Sequence, residues 1–109
     1  MGMVINRFDV FLVGLDPTIG HEIQKTRPCL VVSPNSVNEE LPMVIVAPLT
    51  TKGRPYVTRV SCVFRGKKSR IVIDQLRAVD KIRLVKHLGV IPKPTQLAVL
   101  SVLNAMFAP

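Results

Sequence analysis

The sequence predicts a mainly β domain, a small barrel of short strands followed by one C-terminal α-helix. Short apolar runs alternate with Gly, Pro, Asn and Asp, which is typical of strands joined by turns. Only the final stretch is long and regular enough for a substantial helix. At 109 residues the chain suits one hydrophobic core. We therefore expect a single domain over residues 1–109, with a barrel over about 7–91 and a helix over about 94–107.

Turn residues set the bounds of the predicted strands. The loop 16–20 ends the first strand, Ser33-Pro34-Asn35 ends the second, and Pro48 indicates that the third ends or reaches a sheet edge there. A loop over 52–55 and a basic turn over 65–68 bound the later strands. Strands are expected over 10–15, 28–32, 43–49, 57–64, 69–73 and 84–91. A barrel would leave few strand edges exposed.

Two helical features complete the prediction. Asp80 is a suitable cap for a short helical turn over 81–83. Pro94 suits the first turn of the final helix, and residues 95–109 carry no charge. The apolar residues of that helix are too many for one narrow stripe, so it either has one wide core face or also packs against a second subunit.

Composition excludes several classes of protein. Apolar residues make up 48% of the chain, which is too many for a disordered tail. No apolar run approaches the roughly 20 residues of a membrane span. The first residues lack a cleavable signal pattern, so we expect a cytoplasmic protein that does not contact membranes. Cys29 and Cys62 lie in apolar runs and are expected to be buried reduced thiols.

The charge pattern favours a polyanionic partner. The net charge is +8, and seven of the fifteen basic residues fall between Leu41 and Ile73, where no acidic residue occurs. Nucleic acid is the commonest polyanion that binds such a surface, although a solvated basic face with no partner gives the same pattern.

Two strand ends carry the candidate chemistry. Arg27 stands at the start of one strand and Thr50 closes another, so a cation and a hydroxyl could converge on one phosphate. RNA supplies its own nucleophile, the 2′-hydroxyl, and a planar arginine suits the phosphate oxygens. The alternatives are a structural ion pair of Arg27 with Glu22 or Asp74, and a strand-end cap for Thr50.

Other catalytic groups are weaker candidates. His21, in a loop, could act as an acid or base, whereas His87 lies in an apolar run where a structural or surface role is expected. Glu39 and Glu40 are interpreted as part of a solvated loop, and the acidic residues show no spacing suited to two-metal chemistry. No metal or cofactor is expected.

Four ordered blocks resemble the MazF/PemK family of toxin endoribonucleases. They are Asp9–Val13 followed by Leu15–Glu22, Thr26-Arg27-Pro28, Val44–Thr51, and Asp74–Lys81 followed by Arg83-Leu84 and Gly89. The resemblance implies an SH3-like barrel that forms a homodimer and cleaves single-stranded RNA at short sequences without a metal. It also implies an antitoxin partner whose extended acidic tail covers the RNA groove.

The resemblance also assigns site residues. Arg27 aligns with the family's catalytic arginine and Thr50 with its catalytic threonine, with Thr51 adjacent. Glu22 and Gln24 fall in the mobile loop that borders the family's RNA site, and Asp74 and Gln75 belong to a block that is expected to be structural. Residues expected to bind RNA or support the site are Glu22, Gln24, Lys25, Thr51, Lys52, Arg54 and Gln75.

The chain departs from the family pattern in places. Phe8 stands where a glycine is common, and the final helix lacks the acidic residues that many members carry. Two other functions stay open: a nucleic-acid-binding barrel that does not cleave, and a toxin of similar fold directed at DNA gyrase.

Overall fold

The computed structural model describes residues 3–109, so residues 1 and 2 of the expected domain lie outside the described part. Seven strands and two α-helices form within that range. They are β1 (Asp9–Gly14), β2 (Thr26–Val31), α1 (Asn35–Glu40), β3 (Met43–Thr50), β4 (Arg59–Phe64), β5 (Lys67–Val72), β6 (Arg77–Asp80), β7 (Leu84–Val90) and α2 (Lys93–Phe107). Short 3₁₀ turns occupy Ile73–Gln75 and Lys81–Arg83.

The strands form one antiparallel sheet in the order β4-β5-β3-β2-β1-β7. The long strand β3 pairs with β6 over Met43 to Val46 and with β5 at Leu49 and Thr50. Pro48 lies where β3 changes partner, a point at which the missing N–H is accommodated. The strand therefore continues to Thr50 and does not end at Leu49, as the proline had suggested.

Central strands bury both of their faces, which explains why they are continuous apolar runs. Phe11 and Val31 belong to one core cluster, and their neighbours Val10 and Leu30 belong to a second. The second cluster includes Val99, which anchors α2, and α2 packs mainly on β4. The predicted mainly β barrel with a C-terminal helix is confirmed.

Within residues 3–109, the two ends of the sheet, β4 and β7, are joined by side-chain contacts and not by backbone hydrogen bonds between the strands. Nε and Nη2 of Arg65, at the β4–β5 turn, donate to the Leu88 carbonyl of β7 at 3.2 and 2.9 Å. Next to it, a Cβ added at Gly89 would lie 3.5 Å from the Phe64 ring. The hydrogen-bonded path itself ends at β4 and β7, so closure depends on the contacts at this seam.

Two elements were not predicted. Helix α1 replaces the expected loop around Glu39 and Glu40, because buried Asn38 supports it by donating to the Ser33 carbonyl at 3.0 Å. Strand β6 was also missed, since only its pairing with β3 identifies the short segment Arg77–Asp80 as a strand.

Three local features of the backbone concern the predicted turns. The turn after β4 is tighter than expected, because Arg65 and Gly66 have φ of 51° and 78°, as in the two-residue turns that suit hairpins. The predicted cap is confirmed: the Asp80 carboxylate accepts from the Ile82 N–H at 3.0 Å. Phe8 has φ 74°, a conformation that glycine adopts with less strain.

The remaining expectations concern the cysteines, the final helix and the membrane. Both cysteines are free, as expected, but Cys62 is only partly buried whereas Cys29 is fully buried. In α2, Leu97 is 55% exposed and Phe107 71% exposed, so the domain's own core does not cover the whole apolar surface of the helix. Within residues 3–109, no helix is long and apolar enough to cross a membrane.

Candidate active site

Adjacent strand ends bring Arg27 and Thr50 to one end of the sheet. Strands β2 and β3 are antiparallel and pair as far as Cys29 opposite Pro48, so the start of β2, with Arg27, and the end of β3, with Thr50, lie at the same end of the sheet. Both side chains line one cavity of about 440 Å³. The apolar part of its wall comes from Leu12, Pro28, Leu49, Phe64 and Leu88.

Each of the two polar groups is held by one hydrogen bond. Arg27 donates through Nε to the Gln24 carbonyl at 3.3 Å. Its terminal amino groups make no hydrogen bond or ion pair within residues 3–109. Thr50 Oγ1 accepts from the Lys52 N–H at 3.1 Å, which leaves the hydroxyl hydrogen to donate elsewhere. The arrangement offers a guanidinium fork and a hydroxyl donor to one anion.

The basic residues around the cavity differ in whether their side chains are already engaged within the protein. Lys67 lines the same cavity, whereas the guanidinium of Arg65 is engaged at the seam. A second cavity of about 490 Å³ shares Thr50, Thr51 and Ser69 with the first and adds Lys68 and Arg70. The two cavities meet at these shared residues, and together they form the groove around Thr50.

Arg70 is partly satisfied by the loop that covers it. Its Nη1 donates to the Gly53 carbonyl at 2.8 Å, and its buried Nε has no partner. Thr50 pairs with Arg70 across β3 and β5, so Arg70 lies beside Thr50 on the next strand.

The loop between β1 and β2 does not bring all of the expected residues into the cavity with Arg27. Glu22 and Gln75 line a separate cavity of about 230 Å³. The Glu22 carboxylate accepts from the Ile19 N–H, and Gln75 Oε1 accepts from the Ile23 N–H at 2.8 Å. These two side chains hold the loop, and the expected supporting role of Gln75 takes that form.

The other expected residues differ in their relation to the cavity. Gln24 contacts Arg27 through its backbone carbonyl, and Thr51 lines the cavity directly. Lys25, Lys52 and Arg54 are exposed, and none of them lines the cavity.

Within residues 3–109, Arg27 forms no ion pair with Glu22 or Asp74. Asp74 pairs with Arg59, whose Nε lies 3.3 Å from Oδ1, and the same carboxylate accepts from the Thr58 hydroxyl at 2.9 Å. Partial burial opposes ionisation of Asp74, but these hydrogen bonds outweigh it and lower the pKa of the carboxyl. Arg59 also stacks over the Tyr56 ring, 4.7 Å from its centroid.

Neither histidine lines the cavity with Arg27 and Thr50. His21 is exposed in the β1–β2 loop. His87 Nε2 lies 3.2 Å from Asp9 Oδ1, and its ring meets Phe11 edge-on at 5.1 Å between centroids. Within residues 3–109, no three His, Cys, Asp or Glu side chains are grouped as a metal site requires.

Sequence reasoning missed two features of the site. Lys67 was included only within the basic 52–70 segment. Its place in the cavity with Arg27 depends on how β5 folds back on β4, which the sequence did not show. Asp16 was treated as a turn residue, yet its carboxylate accepts from the N–H of Lys25, two residues before Arg27, at 2.9 Å. A carboxylate at the start of a loop was the available signal, but its partner nine residues on was not predictable.

Comparison with known proteins identifies the class. Residues 6–107 match the family model described as PemK-like, MazF-like toxin of type II toxin–antitoxin system. The chain is 36% identical over 108 residues to the endoribonuclease PemK of Escherichia coli, covering 94% of this chain and 81% of that one. The chain therefore belongs to the PemK/MazF family of toxins.

Solved structures agree with the fold. MazF from Deinococcus radiodurans superimposes with a TM-score of 0.86 at 23% identity, covering 98% of this chain and 99% of the other. A mycobacterial endoribonuclease, solved in complex with its cognate antitoxin, gives a TM-score of 0.81 at 23% identity, with 96% and 97% coverage. At these identities, the likeness confirms the barrel architecture.

Proposed function

We propose that this toxin is an endoribonuclease that cleaves single-stranded RNA by attack of the 2′-hydroxyl on the adjacent phosphate. The observation that carries the proposal is that Arg27 and Thr50 line one cavity at adjacent strand ends. Membership of a family that includes a named endoribonuclease supports the same reaction.

The two residues have different roles. The terminal amino groups of Arg27 bind the non-bridging oxygens of the phosphate and stabilise the charge that builds up in the transition state. Thr50 donates its hydroxyl hydrogen to the same phosphate, while the Lys52 N–H holds its oxygen in place. A threonine hydroxyl is a poor base, so we assign Thr50 to positioning and donation and not to proton removal.

The groove supports unpaired RNA as the proposed substrate. Its cations and small cavities suit a single strand whose bases are splayed apart, since duplex RNA hides its base edges in a narrow major groove. We infer that cleavage depends on short base sequences read by the groove walls, and that the reaction needs neither metal nor cofactor.

The net charge and the exposed residues of α2 support proposals for the partners of this toxin and its location in the cell. A net charge of +8 suits an antitoxin with an extended acidic tail that competes with RNA for the groove. The exposed Leu97 and Phe107 on α2 support a homodimer. We propose that the chain acts as one toxin domain in the cytoplasm, where its RNA substrate is found.

The test is cleavage of unstructured RNA in EDTA, with the fragment 5′ ends sequenced to give the recognition sequence. We expect 2′,3′-cyclic phosphate or 3′-phosphate ends, and we expect activity to fall by roughly 100- to 1000-fold in Arg27→Ala, the size found for one lost transition-state donor. Thr50→Val should also lose activity, because it keeps the shape and removes the hydroxyl. Lys93→Ala, which removes a cation from α2 outside the cavity, is the matched control and should cleave normally.

Two outcomes would replace the proposal. Salt-dependent binding with no cleavage over a broad RNA panel would make the protein a nucleic-acid-binding barrel. Growth arrest that persists in Arg27→Ala, together with stabilised gyrase–DNA complexes, would make it a gyrase-directed toxin.

A further inference from the structure

We propose that Asp16 is a positioning residue for Arg27 and acts through one peptide group of the β1–β2 loop. The inference rests on the proposed function, in which Arg27 binds the scissile phosphate. It assigns to Asp16 a role that the turn pattern of its sequence did not indicate.

The connection passes through the peptide bond between Gln24 and Lys25. Asp16 Oδ1 accepts from the Lys25 N–H at 2.9 Å, and the Gln24 carbonyl accepts from Arg27 Nε at 3.3 Å. That N–H and that carbonyl belong to the same planar unit, so fixing the direction of one fixes the other. The Asp16 carboxylate therefore sets where the acceptor for Arg27 points.

The same hydrogen bond also strengthens the acceptor. A carboxylate bound to the N–H of a peptide group polarises that group and draws more negative charge onto its carbonyl oxygen. The Gln24 carbonyl then holds Arg27 Nε–H more firmly, and the guanidinium plane presents its two terminal amino groups to the cavity.

The backbone at Lys25 needs this support. Lys25 has φ 68°, in the left-handed region that strains a residue with a side chain. Two hydrogen bonds hold it there: the one from its N–H to Asp16, and one from the Leu15 N–H to its carbonyl at 3.0 Å. Without Asp16, the peptide is free to rotate toward a relaxed conformation and carry the Gln24 carbonyl away from Arg27.

Asp16 is itself fixed from a distant part of the chain. Nη1 of Arg83 donates to the Asp16 carbonyl at 2.6 Å and to the Gly14 carbonyl at 3.2 Å. The Thr18 hydroxyl lies 3.5 Å from the same Asp16 oxygen that Lys25 uses, too far to hold that oxygen in place. The Asp16 backbone is thus held in place, and its carboxylate makes one short hydrogen bond to the peptide between Gln24 and Lys25.

The experiment compares Asp16→Ala, which removes the acceptor, with Asp16→Asn, which keeps an oxygen for the Lys25 N–H. Steady-state kinetics on a fluorogenic RNA oligonucleotide should show kcat lowered about tenfold in Asp16→Ala, the effect of one misplaced hydrogen bond, with KM nearly unchanged. Asp16→Asn should recover most of kcat. Thr18→Ala is the matched control, because it touches the same carboxylate but not the Lys25 peptide, and it should behave as wild type.

A direct readout comes from the ¹H–¹⁵Nε resonance of Arg27, assigned by its loss in Arg27→Lys. We expect this resonance to shift toward that of a free arginine, with faster solvent exchange, in Asp16→Ala but not in Asp16→Asn. If Asp16→Ala does not fold, Asp16→Glu takes its place, because it keeps the charge but displaces the oxygen and should lose kcat similarly.

The outcomes separate the two proposals. If Arg27→Ala cleaves normally, the proposed function fails, while the resonance still reports whether Asp16 holds Arg27. If Arg27→Ala is inactive but Asp16→Ala changes neither kcat nor the resonance, the positioning role is wrong. A rise in KM alone, or an Asp16→Asn variant as slow as Asp16→Ala, also overturns it.

Discussion

The strength of RNA binding should fall with added salt at a rate set by the cations that remain free in the groove. Three of the basic residues between positions 52 and 70 are already engaged within the protein: Arg59 with Asp74, Arg65 with the Leu88 carbonyl, and Arg70 with the Gly53 carbonyl. Arg27 and the four other basic residues of the 52–70 segment have terminal groups without a hydrogen bond or ion pair in residues 3–109. These are Arg27, Lys52, Arg54, Lys67 and Lys68.

The count gives the magnitude. Single-stranded nucleic acid releases counterions with a slope of about −0.7 per phosphate neutralised, so five contacts predict a slope near −3.5 in log K against log salt. Between 50 and 200 mM salt, the affinity should then fall roughly 100-fold. Had all eight of these cations bound phosphate, the slope would be nearer −5.6.

Fluorescence anisotropy with a 2′-O-methyl RNA oligonucleotide measures this slope, because that RNA lacks the nucleophile and is not cut. Lys67→Ala should reduce the slope by about 0.7, since Lys67 lines the cavity with Arg27. Lys93→Ala removes the same charge from α2 and should leave the slope unchanged. Equal effects of the two variants, or a wild-type slope near −1, would refute the assignment of the groove.

Three further predictions concern stability and reactivity. Phe11 is 1% exposed in the first core cluster, so Phe11→Ala should lower the free energy of unfolding by about 3–5 kcal/mol, measured by urea denaturation. The pKa of Asp74 is lowered in the folded state, so the unfolded chain binds more protons there. Its contribution to stability is therefore present above the ordinary carboxyl pKa and lost as pH falls through the lowered one, and unfolding curves from pH 6 to 2 should show Asp74→Asn without that acid-side loss. Burial raises the pKa of the Cys29 thiol to about 12, against a weak opposing effect of the Arg77 charge, and raises that of Cys62 as well. Mass spectrometry after iodoacetamide treatment of native protein should show Cys62 modified before Cys29, because only Cys62 is partly exposed. A faster reaction at Cys29 would contradict the burial.

The sequence alone determined the fold class and pointed to the pair of residues that we propose for the centre of the site. Apolar runs bounded by Gly and Pro identified six of the seven strands, because a buried strand and its turns leave a local record in composition. Arg27 and Thr50 were found for the same reason, since each stands at the end of such a run. Helix α1 and strand β6 left no such record: the first depends on a buried contact of Asn38 with Ser33, and the second on pairing with β3.

Only the tertiary structure decided which groups around that pair are free and which are engaged. Sequence counted seven cations between residues 52 and 70 as equivalent, but folding engages Arg59, Arg65 and Arg70 and leaves four with free terminal groups. Folding also places Glu22 and Gln75 in a separate cavity from that of Arg27, and it places the Asp16 carboxylate within hydrogen-bond distance of the Lys25 N–H. The physical reason is that hydrogen-bond partners are set by distance in space, and the loops that bring Asp16 to Lys25, or Arg65 to Leu88, have no periodic pattern from which that distance could be read.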